Sequence, residues 1–412
     1  MDTSDVPLIH LRLLMNLPEL QQKILRKGFR LLSKIAPIHA EYKPKRVINI
    51  SASLKHEDIN YIEISPPYTL YLDLRPEFIE ACSPYMKPPA EARYPGDFIL
   101  EIANGRIYSL DPSNMGVITA DGDMIEQVSF QWANDEILTA KDNKLFTETL
   151  FSKPRKYKGS VFSLLAGGGA VTYYYHWLYD AIPKFFLLQQ AGLFEKIDYF
   201  LVPNDAFSFQ KELLSHFGIP PEKIINAQVE NHIEADTLYV ASYVRLEEHQ
   251  PKWTCDFLHN SLIKKDATTR NKRIYISRKD ALVNRRIYNE DELIDVLKSY
   301  DFEVVLLAKM SVAEQAKLFN EAEIVVGAHG AGFSNLVFCQ PGTKVLEFFP
   351  EKYVRHAYYD ICNQCGLEYD YVLCPCDGDP KNAVEGQKIN LTADVQKIRV
   401  KVDRMIYKAN AL

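Results

Sequence analysis

The chain has 412 residues, of which 47% are hydrophobic and 25% charged, and 48 Lys and Arg stand against 54 Asp and Glu for a net charge of −6. That length suits two or three domains and buries about three quarters of the unfolded surface, so no disulfide or structural metal is needed to hold it. The acidic balance excludes the broad basic face of a dedicated nucleic-acid binder and leaves room for a local basic pocket.

Residues 1–46 read as a basic amphipathic helical segment, with Leu8, Leu11, Leu14, Leu17, Ile24, Leu25, Leu31, Leu32 and Ile35 at helical spacing. Nine basic residues oppose four acids there. Such a helix either packs on the body with a solvated basic face or rests on an anionic membrane surface, giving peripheral membrane contact through residues 8–46. Met1, Asp2 and Asp5 precede no apolar leader, so a cytoplasmic location is expected, at most peripheral to the inner face of a membrane. The seven scattered cysteines agree with a reducing compartment.

Residues 47–150 form an extension, Pro-rich in its middle, that turns into short β patterns. Asn104-Gly105, Asp111-Pro112 and Asp121-Gly122 separate them and predict an antiparallel meander. From residue 151 the pattern becomes strand then helix. Strands are expected at Val161–Leu165, Tyr199–Val202 and Leu238–Val240, with helices over Tyr173–Ala191 and Phe207–Phe217. The charge-free run Gly159–Tyr179 matches a membrane span in length, but its glycines, Thr172 and His176 suit strand, turn and helix start. The rhythm resumes after Pro251: strands at Arg273–Ser277, Glu303–Leu307, Glu323–Gly327 and Lys344–Phe349, helices at Glu290–Tyr300 and Val312–Asn320. This alternation predicts an α/β chain with two Rossmann-like domains, 151–250 and 251–390, closed by a C-terminal helix within 391–412.

Four groups of residues could carry chemistry. Gly327-Ala328-His329-Gly330-Ala331-Gly332 follows the buried strand Ile324–Val326 and precedes Asn335. Such a turn brings backbone N–H groups and a helix start to an anion. Its spacing is not the dinucleotide fingerprint, so a nicotinamide oxidoreductase is disfavoured. Arg278 follows a second strand, with Arg285 and Arg286 downstream, and guanidinium groups hold diphosphates in fixed geometry. His176 and Asp180 share a helix face as candidate base and partner. Glu347 ends a buried strand, where a carboxylate can accept ribose hydroxyls. Against these, Cys362-x-x-Cys365 with Cys374-Pro375-Cys376 is a poor zinc pattern, read as free thiols. Asp377-Gly378-Asp379 is read as a turn rather than a metal motif.

Together these segments resemble glycosyltransferase family 61. The likeness runs from His176-x-x-x-Asp180 through Ile276-Ser277-Arg278, Arg286 and Asn289-Glu290 to Val326-Gly327-Ala328-His329-Gly330-Ala331, Asn335-Leu336-Val337-Phe338, Pro341-Gly342-Thr343 and Val345-Leu346-Glu347. It implies a GT-B-like fold with a cleft between two Rossmann-like domains. It also implies inverting, metal-independent transfer of a hexosyl or pentosyl group from a nucleotide-sugar, with a UDP-sugar as donor and no separate cofactor, to a glycan. By position, Arg278 and Arg286 would hold the diphosphate, Gly327, His329, Gly330, Ala331, Gly332 and Asn335 would line the donor site, and Glu347 would hold the ribose. Asp180, or else His176, would act as base. The leaderless start resembles bacterial members associated with capsule or other surface polysaccharides. The alternatives are a non-catalytic nucleotide-sugar-binding subunit and a sugar-nucleotide epimerase of the same fold.

Overall fold

The computed structural model describes residues 39–407, apart from 54–55, 134–135, 139, 247, 264–268 and 281–284. The basic helical segment expected at residues 8–36 lies outside the described residues. The architecture is α/β, with a mixed sheet and a parallel sheet.

The strands that matter for the first sheet are β1 (Ile59–Ser65), β2 (Asp97–Ala103), β3 (Arg106–Asp111), β4 (Asn114–Ile118), β5 (Arg155–Ser163), β6 (Tyr199–Val202), β7 (Ile224–Asn226) and β8 (His232–Ala241). They belong to one sheet of twelve described strands. β5 to β8 are parallel in the order β8-β5-β6-β7. The extension is not a sheet of its own, because β2 and β3 pair antiparallel with β8.

That pairing corrects the expected meander at Asn104-Gly105. Ala103 faces Thr237 and Arg106 faces Glu234, so β2 and β3 run end to end along one partner. Asn104 at φ 51° makes a kink in a continuing edge, not a hairpin. The Asp111 and Asp121-Gly122 signals do close hairpins, pairing Asp111 with Asn114 and Ile118 with Met124.

The second sheet holds β9 (Lys272–Ile276), β10 (Phe302–Val305), β11 (Ala322–Ala328), β12 (Lys344–Pro350) and β13 (Glu368–Cys374). All are parallel, in the order β10-β9-β11-β12-β13. Both faces are covered, so Ile324, Val325 and Val326 are fully buried, as their continuous apolar run requires. One apolar cluster contains Phe162 and Phe200 of the first sheet together with Ile276 and Val325 of the second. The two sheets therefore share a core. Burial of this kind contributes about 25 cal/mol per Å² of apolar surface. No described helix is long and apolar enough to cross a membrane.

Candidate functional site

In open parallel sheets a ligand sits outside the carboxyl ends of the strands, where the strand order reverses. The first sheet reverses between β5 and β8, and the second between β9 and β11. Arg245 follows β8, and the loop after β5 leads to His176. Arg278 follows β9, and His329 follows β11. Sequence positions far apart thus fall at two topologically equivalent points.

At the second point, Arg278 lies against the Gly-rich turn. A Cβ on Gly330 would fall 2.6 Å from its Nη1, so the bare glycine lets the guanidinium approach the turn backbone without moving aside. Glu290 shapes this loop: its Oε1 accepts from Tyr275 Oη, Ser277 Oγ and the Arg278 N–H at 2.8–2.9 Å. Burial, then the charge of Arg285, lowers the pKa of Arg278 to about 10. Arg285 stands at φ 53°, and its Nε is buried with no hydrogen-bond partner among the described residues. Its charge also reaches His329, Glu347, Tyr353 and Tyr358. A non-glycine residue in the left-handed region is costly and is found where function needs it. Two guanidinium groups close enough to repel each other concentrate positive charge at this point, a charge that an anion would offset.

Several residues expected to touch the donor do other work. Arg286 is exposed and is anchored through its N–H to Asn390 Oδ1 at 2.9 Å, so Arg285 is the arginine that turns inward. Gly327 and Gly332 pack against Ile276. Asn335 is fully buried; its amide donates to Gln315 and Gly332, and its oxygen accepts from Tyr174. Glu347 is also fully buried, with Oε1 2.6 Å from His329 Nδ1 and Oε2 accepting from Tyr369 Oη at 2.6 Å. With the group fully buried and both oxygens engaged, it offers no surface to a ribose. The reason is register: β12 continues past Glu347 to Pro350, so the carboxylate lies within the strand, not at its end. Burial first, then the charges of Arg285 and Arg278, pushes His329 well below its ordinary pKa and keeps it neutral. His329 and Gly330 are buried in the turn, and Ala331 is half-buried.

At the first point, the expected single helix breaks into three pieces. Tyr174–His176 is α-helical, Trp177–Ala181 makes a π turn, and Lys184–Gln190 resumes the helix after Pro183. Pro183 brings no N–H, so the ladder widens before it, and Ile182 N–H donates to Trp177 O at 3.1 Å. Gly169 leaves room for the imidazole, since a Cβ there would fall 2.4 Å from His176 Cδ2. His176 Nδ1 lies 2.7 Å from Asp180 Oδ2. Arg245 donates to the same carboxylate, Nε to Oδ1 at 2.6 Å and Nη2 to Oδ2 at 3.0 Å. Burial alone would raise the pKa of Asp180. The Arg245 charge and the His176 hydrogen bond outweigh it and hold the group well below the usual carboxylate range. The His176 side chain is 36% exposed and that of Asp180 only 11%.

The two points are joined by aromatic rings. Centroids run from His176 to Tyr175 at 5.2 Å, on to Tyr358 at 5.7 Å, and to His329 at 5.2 Å. Tyr179 Oη donates to Ser334 O at 2.8 Å across the same junction. Arg355 enters beside Tyr175 and Tyr358, paired with Glu248, which itself stands at φ 63°. Arg245, Arg355 and Tyr358 are the residues that sequence reasoning missed, and Arg285 was named there only as a neighbour of Arg278 and Arg286. Arg245 and Arg355 follow the carboxyl ends of β8 and β12, a position that could have flagged them.

All seven cysteines are free thiols. Asp377 takes the Asn390 N–H at 2.6 Å, and Asp379 pairs with Lys352 and Lys381. Among the described residues no three His, Cys, Asp or Glu side chains gather as metal ligands.

Residues 174–346 match the model of the family described as Glycosyltransferase 61. A beta-1,2-xylosyltransferase, RCN11, from Oryza sativa subsp. japonica is 30% identical over 136 residues, 29% of this chain and 26% of that protein. The xylan glycosyltransferase MUCI21 of Arabidopsis thaliana is 27% identical over 138 residues, 32% of this chain and 26% of that protein. An EGF domain-specific O-linked N-acetylglucosamine transferase of Mus musculus is 30% identical over 90 residues, 21% of this chain and 17% of that protein. The matches thus span about a quarter or less of these relatives' own length.

Proposed function

We propose that this chain, whose residues 174–346 match the Glycosyltransferase 61 family model, is a member of that family and transfers a sugar from a nucleotide-sugar, a UDP-sugar first among them, to a hydroxyl of a glycan. The observation that carries the reading is the pairing of Arg278 and Arg285 beside Gly330 at the β9/β11 switch point. A diphosphate there meets two guanidinium groups and the backbone N–H groups of the Gly330–Ala331 turn. As the bond between anomeric carbon and diphosphate breaks, those fixed charges stabilise the leaving group. Two fixed guanidinium charges at the leaving group are what supports a metal-independent, GT-B-like reaction in this reading.

His176 is the base in this account. Both Asp180 oxygens are engaged by Arg245 and His176, and its low pKa makes it a poor proton acceptor. An ionised Asp180 accepts the His176 Nδ1–H, which leaves Nε2 with a lone pair for the acceptor hydroxyl. The proton moves to Nε2 while the acceptor oxygen bonds to the anomeric carbon, a single displacement that inverts its configuration. The relatives' names carry xylosyl and N-acetylglucosaminyl transfer, so the acceptor is proposed as a glycan without a narrower assignment to capsule. A nucleotide-release assay over a panel of sugar nucleotides, with and without EDTA, tests this. Release from one donor that survives the chelator supports it; activity that only manganese restores overturns the metal-independent mechanism.

A further inference from the structure

We propose that Phe78, Tyr369 and Glu347 form a positioning relay through which the segment at residues 72–87 orients His329 in the donor site. The relay rests on the donor-site reading for its kinetic consequence. Its geometry lies largely outside the family-matched residues 174–346.

The relay starts at the imidazole. Glu347 Oε1 holds Nδ1, and Tyr369 Oη, from the neighbouring strand β13, donates to Oε2. A carboxylate buried without a cationic hydrogen-bond partner is costly and persists only when its oxygens are satisfied. Both are, and the result fixes which ring nitrogen of His329 can meet a ligand, since the partner of one nitrogen sets the role of the other. A second hold comes from stacking: Phe349 lies on His329 at 5.1 Å and 26°.

Both holds converge on one side chain. Phe78 is fully buried and sits edge-on to Phe349, Tyr359, Tyr369 and Tyr371, at centroid distances of 6.1, 5.0, 5.9 and 4.9 Å. Tyr369 is further pinned by stacking on Tyr359 at 4.3 Å. Phe78 belongs to the short helix Pro76–Ala81, and its flanks are tied to the second sheet and its connecting segments. Arg75 Nε donates to Tyr359 Oη at 3.1 Å, Asn363 Nδ2 to Asp73 O at 2.5 Å, and Ser83 Oγ to Lys352 O at 3.1 Å. The segment is therefore built into the back wall of the anion site.

The test uses the full chain with ¹⁵N-labelled histidine. The proton between His329 Nδ1 and Glu347 is read by NMR and assigned through its loss in His329→Gln. In Tyr369→Phe that resonance moves, and the donor KM rises about tenfold with kcat nearly unchanged, the scale of one lost hydrogen bond. Phe78→Leu, which leaves Glu347 and Tyr369 in place, moves the same resonance less. A folded Tyr369→Phe protein with resonance and KM both unchanged overturns the relay. Should Phe78→Leu fail to fold, Tyr369→Phe decides alone. If the unaltered protein binds no nucleoside diphosphate, the donor-site reading fails, and the resonance still judges the relay.

Discussion

The two switch points are built alike and charged differently. At the β5/β8 point Arg245 is spent on Asp180, so a buried cation and anion cancel and leave a half-exposed imidazole as the reactive group. At the β9/β11 point the cations crowd each other, and the nearby carboxylate Glu347 faces His329 and Tyr369 instead of them. In the proposed reading one side serves proton transfer and the other anion binding. The difference is one of balance: Arg245 is paired directly with Asp180, whereas the repelling charge of Arg285 acts on Arg278 more strongly than the charge of either Asp280 or Glu290.

The largest effect expected from that contrast is on rate. His176→Gln lowers transfer by about 10²- to 10⁴-fold, with donor affinity within twofold, as measured by initial rates and calorimetry. An equal loss of donor affinity would merge the two sides into one. Next comes stability. Arg245→Leu leaves Asp180 buried without its cation, a loss of about 3–5 kcal/mol by denaturant titration, whereas Arg278→Ala does not destabilise the fold. Equal destabilisation by the two variants would erase the distinction between the two points.

The smallest effect is on acid stability. The folded pKa of Asp180 lies below its unfolded value, so its contribution is fully present above about pH 4. It is lost as the pH falls through the folded value. Asp180→Asn should therefore have a shallower acid limb in a pH series of thermal melts. An acid limb as steep as that of the unaltered chain would remove Asp180 from the charge pair.

Arg278 and His329 could be singled out in the sequence because each lies at a strand end, His329 directly after Ala328 and Arg278 after Ile276 with Ser277 between. Glu347 misled because sequence does not show where β12 stops; the strand runs on to Pro350 and carries the carboxylate inside. Arg286 was preferred to Arg285 on family position, but Arg285's left-handed backbone turns it inward, and no residue pattern announces that. Asn104-Gly105 carries the same signal as a hairpin and makes a kink, because β8 is long enough to pair with the strands on both sides of it. Asp180 and His176 do meet on one face, at 2.7 Å, but the guanidinium of Arg245, 65 residues after Asp180, which also holds that carboxylate, is not visible from their spacing.

The central claim, that the β9/β11 point binds the donor diphosphate, is tested most directly by calorimetric titration of UDP into the unaltered chain and into Arg278→Ala. The account predicts saturable binding to the first and affinity weaker by about 10²- to 10³-fold in the second, the scale of one lost electrostatic donor. Identical affinities for the two proteins would contradict it.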